Sequence, residues 1–183
     1  LVTSTDSGLA VPDWPLSYGT WFPPMVGGIV YEHGHRMIAG VVGIMILLLA
    51  IWTARVESRR WVRWLSYTAL AGVIVQALLG GLTVLLLLPP QMSIAHACLG
   101  QAVFCLVVAL AYGTRPGWAA RCLVTAAPEN AASKRLSLIV ATLAIVQLVV
   151  GAVVRHTGYL VMLHLIIAGL IVLHVALLAR RAA

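Results

Sequence analysis

The sequence predicts an all-α integral membrane protein, and three observations predict it. Of 183 residues, 62% are apolar and only 9% are charged, whereas soluble domains carry roughly 25% charged residues. Mean hydropathy is +1.02, and five apolar runs are each long enough to cross a hydrocarbon core, which takes about 20 residues. The Lys and Arg residues gather between those runs with a strong sidedness. A net charge of +7 would by itself suit a nucleic-acid binder. Placed between apolar runs, the same charge reads as membrane topology and argues against nucleic acid as a partner.

The runs cover residues 36–54, 64–88, 92–113, 134–154 and 160–179. Pro89-Pro90 stops the second and opens a tight turn into the third, because proline lacks the amide a helix interior needs. The Pro, Gly and Asn content of 113–133, with Glu129, argues for a loop there and not a further span. Arg55, Arg59, Arg60 and Arg63 follow the first run. Arg115, Arg121, Lys134 and Arg135 follow the third, and Arg180 and Arg181 the fifth. These ten of the twelve Lys/Arg residues mark a cytoplasmic face. Only Arg36 and Arg155 fall opposite, so the amino-terminal loop, the Pro89-Pro90 turn and an Arg155–Gly158 turn are expected outside, with Trp14 and Trp21 at the interface. The first residues, Leu1 to Gly8, read as the exit of an earlier helix, and the chain is expected to be a piece of a longer one.

Ionisable groups stand out against this background. Glu32-His33-Gly34-His35-Arg36 opens the first run, and a mid-membrane Arg, Lys or Asp costs about 2.5–3.5 kcal/mol on insertion scales, so such groups are functional candidates. Glu32 and His35, three apart, share a face if the helix starts this early; His33 points elsewhere and is expected at the interface. Glu32 reads either as a base beside His35 or as an exposed first-turn acid favoured by the helix dipole. Arg36 is suited to pair with a carboxylate.

Three histidines lie near external helix ends: His35, His96 and His164. His35 and His96 are expected at similar depth on neighbouring antiparallel helices, where two facing imidazoles suit six-coordinate haem iron. Ala39, Gly40, Ala95, Ala97 and Gly100 leave room for a flat macrocycle, although small residues also let helices pack closely. A short internal match supports the set: His35-Arg36-Met37-Ile38-Ala39-Gly40 repeats as His164-Leu165-Ile166-Ile167-Ala168-Gly169, and Leu1–Thr5 aligns with Val153–Thr157. Such repeats commonly mean two similar bundles. His174 lies ten residues, about 15 Å, beyond His164, and is read as packing; His156 is placed in a loop. Cys98, Cys105 and Cys122 have neither CxxC nor metal-finger spacing, and Cys98 and Cys105, seven apart in an apolar run, read as packing residues.

Taken together, several motifs resemble the haem A synthase family. Thr5-Asp6-Ser7-Gly8-Leu9, Asp13-Trp14-Pro15-Leu16, Pro23-Pro24 and Glu32-x-x-His35-Arg36 are similar to its first external loop and second helix. Gln76-x-x-x-Gly80-Gly81-Leu82-Thr83-Val84, Ser93-Ile94-Ala95-His96-Ala97 and Gly151-Ala152-Val153-Val154-Arg155-His156-Thr157-Gly158 are similar to its later motifs. The resemblance implies a pseudo-symmetric eight-helix (4+4) bundle, of which this chain supplies five transmembrane helices. Residues 1–113 would form the amino-terminal half without most of its first helix, 114–133 a cytoplasmic linker, and 134–183 the start of the carboxy-terminal half.

The implied reaction oxidises the C8 methyl of haem O to the formyl of haem A, with water as oxygen source. His35 and His96 would carry over as ligands of the substrate haem, His164 as one ligand of a haem b, and Glu32 as the catalytic acid residue. Haem O, haem O synthase and terminal oxidase assembly factors are the implied partners. A homo-oligomer is compatible, and the bacterial plasma membrane is the implied location. Two departures are visible: the loop 10–17 lacks the cysteine pair of some members, and a second haem b ligand is missing from this chain. The alternative reading is a bis-histidine b-type cytochrome that transfers electrons only.

Overall fold

A computed structural model describes residues 2–118 and 131–182. Every regular element in them is helical. After a 3-10 turn at Thr3–Thr5 come α1 (Gly28–Val56), α2 (Arg60–Leu85), α3 (Pro90–Gly113), α4 (Ala131–Thr157) and α5 (Val161–Ala182). All five helices are long and apolar enough to cross a membrane, and the chain is an integral membrane protein. Arg121, Cys122 and Glu129 lie outside the described residues, as does most of the expected 114–133 linker.

The chain divides into two compact units, Leu1–Ala111 and Tyr112–Ala183. The first is a loop followed by α1, α2 and the body of α3. Its core joins Ile46 of α1, Val62 and Ala69 of α2, and Val103 and Leu110 of α3. Small residues set the helix approach. A methyl at Gly72 would stand 2.7 Å from Val103 Cγ2, closer than packed atoms tolerate, so the α2–α3 contact depends on that missing side chain. Toward the other end, Thr53 and Ser66 hydroxyls meet at 2.6 Å. An interhelical hydrogen bond of this kind contributes about 0.6 kcal/mol. Ile38, Ile44 and Leu48 remain more than half exposed along α1, as expected of a surface in a bilayer.

Two boundary differences shape the first unit. The first helix starts at Gly28, eight residues ahead of residue 36, because its polar first turns are matched by loop groups. The second ends at Leu85, short of the expected 88. Leu87 and Leu88 adopt left-handed backbone with φ 59° and 60°, and Leu88 N–H bonds Thr83 O at 2.7 Å while Leu87 N–H bonds Val84 O at 3.0 Å. That is the Schellman pattern, built on leucines where glycine is usual. The Leu88 side chain lies against Gly8, whose added Cβ would stand 3.0 Å from it. Pro90 then begins α3 in the first helical position, where its missing amide costs nothing.

The second unit holds the α4–α5 hairpin. Helix α4 continues to Thr157, so His156 is helical, correcting its placement in a loop. The turn is tight: Gly158 and Leu160 both have positive φ, and Gly158 N–H closes onto Val154 O at 2.9 Å. Gly158, with φ 75°, is the residue that ends the helix, so the turn starts after Thr157 and not at Arg155.

Candidate functional site

The polar pentad at the start of α1 separates into two jobs. Glu32 is 3% exposed, and its Oε2 accepts the Val11 N–H at 2.9 Å while Oε1 accepts Arg36 Nη2 at 2.6 Å. Arg36 also donates to Asp13 O at 2.7 Å, Leu16 O at 2.6 Å and Val11 O at 3.2 Å. One guanidinium therefore gathers three loop carbonyls and a carboxylate, using the rigid donor fork that lysine lacks. His33 is buried, and its Nδ1 lies 2.8 Å from Ser17 Oγ. It belongs to this anchor. Removing one partner of such a buried ion pair costs about 3–5 kcal/mol.

The loop itself is a defined roof. Ser17 and Thr20 exchange both backbone hydrogen bonds around Tyr18 and Gly19, both with positive φ, as in the hairpin turns whose twist suits paired strands. The Asp13 carboxylate accepts the Gly19 N–H at 2.8 Å and the Tyr18 N–H at 2.7 Å. These amides, Gly19's foremost, hold its carboxyl below the usual aspartate range. Trp14 lies on α2 over Gly81, where an added Cβ would come within 2.6 Å of the indole. The loop is thus fixed to α1 through Arg36 and to α2 through Trp14.

His35, three residues on from Glu32 and on the same side of α1, makes its contact elsewhere. Its ring meets His96 of α3 with centroids 6.4 Å apart and planes at 81°. Two imidazoles sharing one metal atom at about 2.0–2.1 Å per nitrogen place their centroids about 6.3 Å apart. The pair fits a shared iron on that measure. His35 is exposed, so the pair is open on that side. Among the described residues no group of three or more His, Cys, Asp or Glu could hold a metal ion. A two-histidine site holds iron where a macrocycle fills the other positions.

His96 has its own support. Its Nδ1 donates to Gln76 O at 3.1 Å, and Gln76 Nε2 donates to His96 O at 2.9 Å. Its Cε1 would stand 3.0 Å from a Cβ at Gly80. In the second unit, Gln147 Nε2 donates to His164 O at 3.1 Å, and His164 Cε1 would stand 3.0 Å from a Cβ at Gly151. The structure therefore pairs His164 with His96 in its local setting, a correspondence additional to the sequence match of His164 with His35. Gln147 was not among the sequence candidates. The spacing Gln-x-x-x-Gly at 76/80 and again at 147/151 is the signal that finds it. His174 Nδ1 donates to Leu170 O at 2.7 Å, a bond within its own helix that suits a packing role.

The fold and the site define a membrane-embedded helical protein with a histidine pair spaced for one metal atom beneath an anchored loop. Comparison with known proteins narrows it. Residues 29–163 match the family model for the cytochrome oxidase assembly protein (COX15-CtaA), and the chain belongs to that family. A Heme A synthase of Symbiobacterium thermophilum is 32% identical over 168 residues, covering 86% of this chain and 53% of that protein. The Heme A synthase of Bacillus licheniformis is 37% identical over 86 residues, 46% of this chain and 28% of that protein. That of Lysinibacillus sphaericus is 41% identical over 88 residues, 46% and 29%. The chain spans about half the length, or less, of these curated relatives. No solved structure matches it.

Proposed function

We propose that this chain is the haem O-binding part of a haem A synthase, a membrane oxidoreductase that converts the C8 methyl of haem O to a formyl group. The observation that carries the reading is the His35–His96 pair at 6.4 Å, in a chain whose relatives bear that enzyme's name. Written in balance, the methyl carbon takes its oxygen from water and releases four protons and four electrons to an external electron acceptor. His35 and His96 hold and orient the substrate haem. Glu32 is the catalytic residue, receiving a proton at a carboxylate oxygen. Each of its oxygens carries one hydrogen bond, and a carboxylate has about four lone-pair sites in all, so acceptor capacity remains.

His164 is a ligand of a resident haem b in the second unit, where that group supplies one-electron redox chemistry when bound. The orphaned His164 Nδ1, buried without a partner among the described residues, suits a histidine whose surroundings are completed by further groups. The whole protein is a pseudo-symmetric eight-helix bundle of the bacterial plasma membrane. Its haem-ligand ends face outward, and it works with haem O synthase and oxidase assembly factors.

The test is extraction and mass analysis of porphyrin from membranes supplied with haem O. Formyl haem is expected from the native protein, and Glu32→Ala abolishes it. Formyl haem persisting after His35 and His96 are replaced together overturns the site. A second reading, an electron-transferring bis-histidine cytochrome, is favoured by one observation: both Glu32 oxygens already serve the loop anchor. Absence of formyl haem from the native protein, with a reversible bis-histidine redox spectrum, establishes that reading; if formyl haem forms, Glu32→Gln tests the residue's role. Retained haem binding with lost conversion marks a catalyst, and native conversion marks an anchor alone.

A further inference from the structure

We propose that Gln76 and Gln147 are positioning residues, each a carboxamide clasp that fixes a histidine ring over the glycine one turn away and keeps its Nε2 lone pair presented. The proposal rests on reading His96 and His164 as haem ligands, but its first test does not.

The two clasps are built alike. Gln76 Nε2 lies 2.9 Å from His96 O and 3.4 Å from the ring Nε2; Gln147 Nε2 lies 3.1 Å from His164 O and 3.4 Å from its ring Nε2. Because a backbone carbonyl only accepts, the amide nitrogen must face it. That choice turns Oε1 inward, and both Gln76 Oε1 and Gln147 Oε1 are buried with no partner among the described residues. An orientation that strands an acceptor twice, in two separate hairpins, is a designed cost and not chance packing.

Spacing does the rest. Four residues along a helix return to the same face, so glycine sits directly along from glutamine. A Cβ there would lie 3.0, 3.5 and 3.8 Å from Cε1, Nδ1 and Nε2 of His96 at Gly80, and 3.0, 3.5 and 3.9 Å from those of His164 at Gly151. The ring thus leans its Cε1 edge onto glycine, with the carboxamide beside Nε2. Gly100 completes the first clasp, since a Cβ there would stand 2.9 Å from Gln76 Nε2.

The ring nitrogens show what the clasp presents. His96 Nδ1 carries its proton toward Gln76 O, which leaves the Nε2 lone pair free to bind a metal, the usual arrangement of a metal-ligating histidine. At 3.4 Å the amide N–H touches that lone pair too weakly to compete with a metal. His164 Nδ1 has no such carbonyl among the described residues. Its ring is held by the clasp alone, so His164 depends on Gln147 more than His96 depends on Gln76.

The test uses the full chain, haem-free, with 15N-labelled histidine, read by nitrogen shifts that separate the two tautomers. Gln147→Met fills the same volume without donating, and His164 is expected to lose its single set of ring signals. Gln76→Met leaves His96 in one tautomer. A second measurement adds haem: Gln76→Met and Gly100→Ala are each expected to weaken its binding by about 10-fold or more, the scale seen when a ligand's outer hydrogen bonds are lost. Unchanged His164 signals in Gln147→Met overturn the clasp, as does native haem affinity in both first-unit variants. Failure of the native chain to bind haem sinks the ligand reading instead, and the haem-free signals still decide the clasp.

Discussion

In the α2–α3 hairpin, His96 rests over Gly80 and gives its Nδ1 proton to the Gln76 carbonyl at 3.1 Å. In the α4–α5 hairpin, His164 rests over Gly151 at the same distance, yet its Nδ1 is buried without a partner among the described residues. Twenty residues separate glutamine from histidine in the first hairpin and seventeen in the second. The difference teaches that the clasp and the tautomer are set separately. Glutamine, glycine and a helix turn suffice for the clasp; the Nδ1 bond needs the carbonyl in reach as well. Leaving a buried acceptor or donor unpaired costs about 1–3 kcal/mol, so the second hairpin carries a debt that the first has partly settled.

The comparison breaks most completely if the first unit loses its pair. Replacing His35 and His96 by alanine is expected to abolish low-spin haem absorption from that unit while leaving any haem on His164, checked by difference spectra of the variant. Next comes the roof, which among the described residues lies only over the first unit. Arg36→Lys leaves the three loop carbonyls short of donors and is expected to cost about 2–4 kcal/mol, read as faster proteolysis within residues 9–25 with no change in α4–α5. Gly81→Ala drives a methyl into the Trp14 ring and should destabilise by about 1–3 kcal/mol, with loss of Trp14 fluorescence protection as the readout.

A finer test asks how firmly each ring is held. Gly80→Ala and Gly151→Ala make the same 3.0 Å intrusion. His96, tied at Nδ1, cannot swing away, so the first substitution is expected to lower thermal stability more, by about 1 kcal/mol.

The smallest effect is acid. Among the described residues every carboxylate side chain lies in the first unit. Glu57, held by the Arg59 guanidinium, has its pKa lowered from 4.5 to about 2. A depressed folded pKa adds stability that is complete above 4.5 and lost as pH falls toward 2. Asp13, also depressed, has the same sign. Hydrogen exchange between pH 5 and 2 should loosen the first unit's loop and α1–α2 turn and spare α4–α5.

The five spans were legible because a membrane leaves long apolar runs few other options. His35 and His96 were legible as partners because equal depth on adjacent helices is a matter of counting. What stayed hidden depended on contacts between distant segments. Glu32, His33 and Arg36 look too polar for a helix interior until the loop supplies Val11, Ser17 and three carbonyls, which is why α1 begins earlier than hydropathy places it. The left-handed Leu87 and Leu88 were equally invisible, since leucine gives no hint of such a backbone. Gln147 escaped notice for a different reason: its motif resembles ordinary small-residue packing until the histidine lies against it.

The anchored loop also orders events during synthesis. Its attachments lie on Arg36 of α1, on Gly81 of α2 and against Leu88 beyond α2. The loop leaves the ribosome before any of these, but it has nowhere to settle until both helices stand side by side. Its closure therefore requires correct pairing of α1 with α2, the same two helices that carry His35 and the Gln76 clasp.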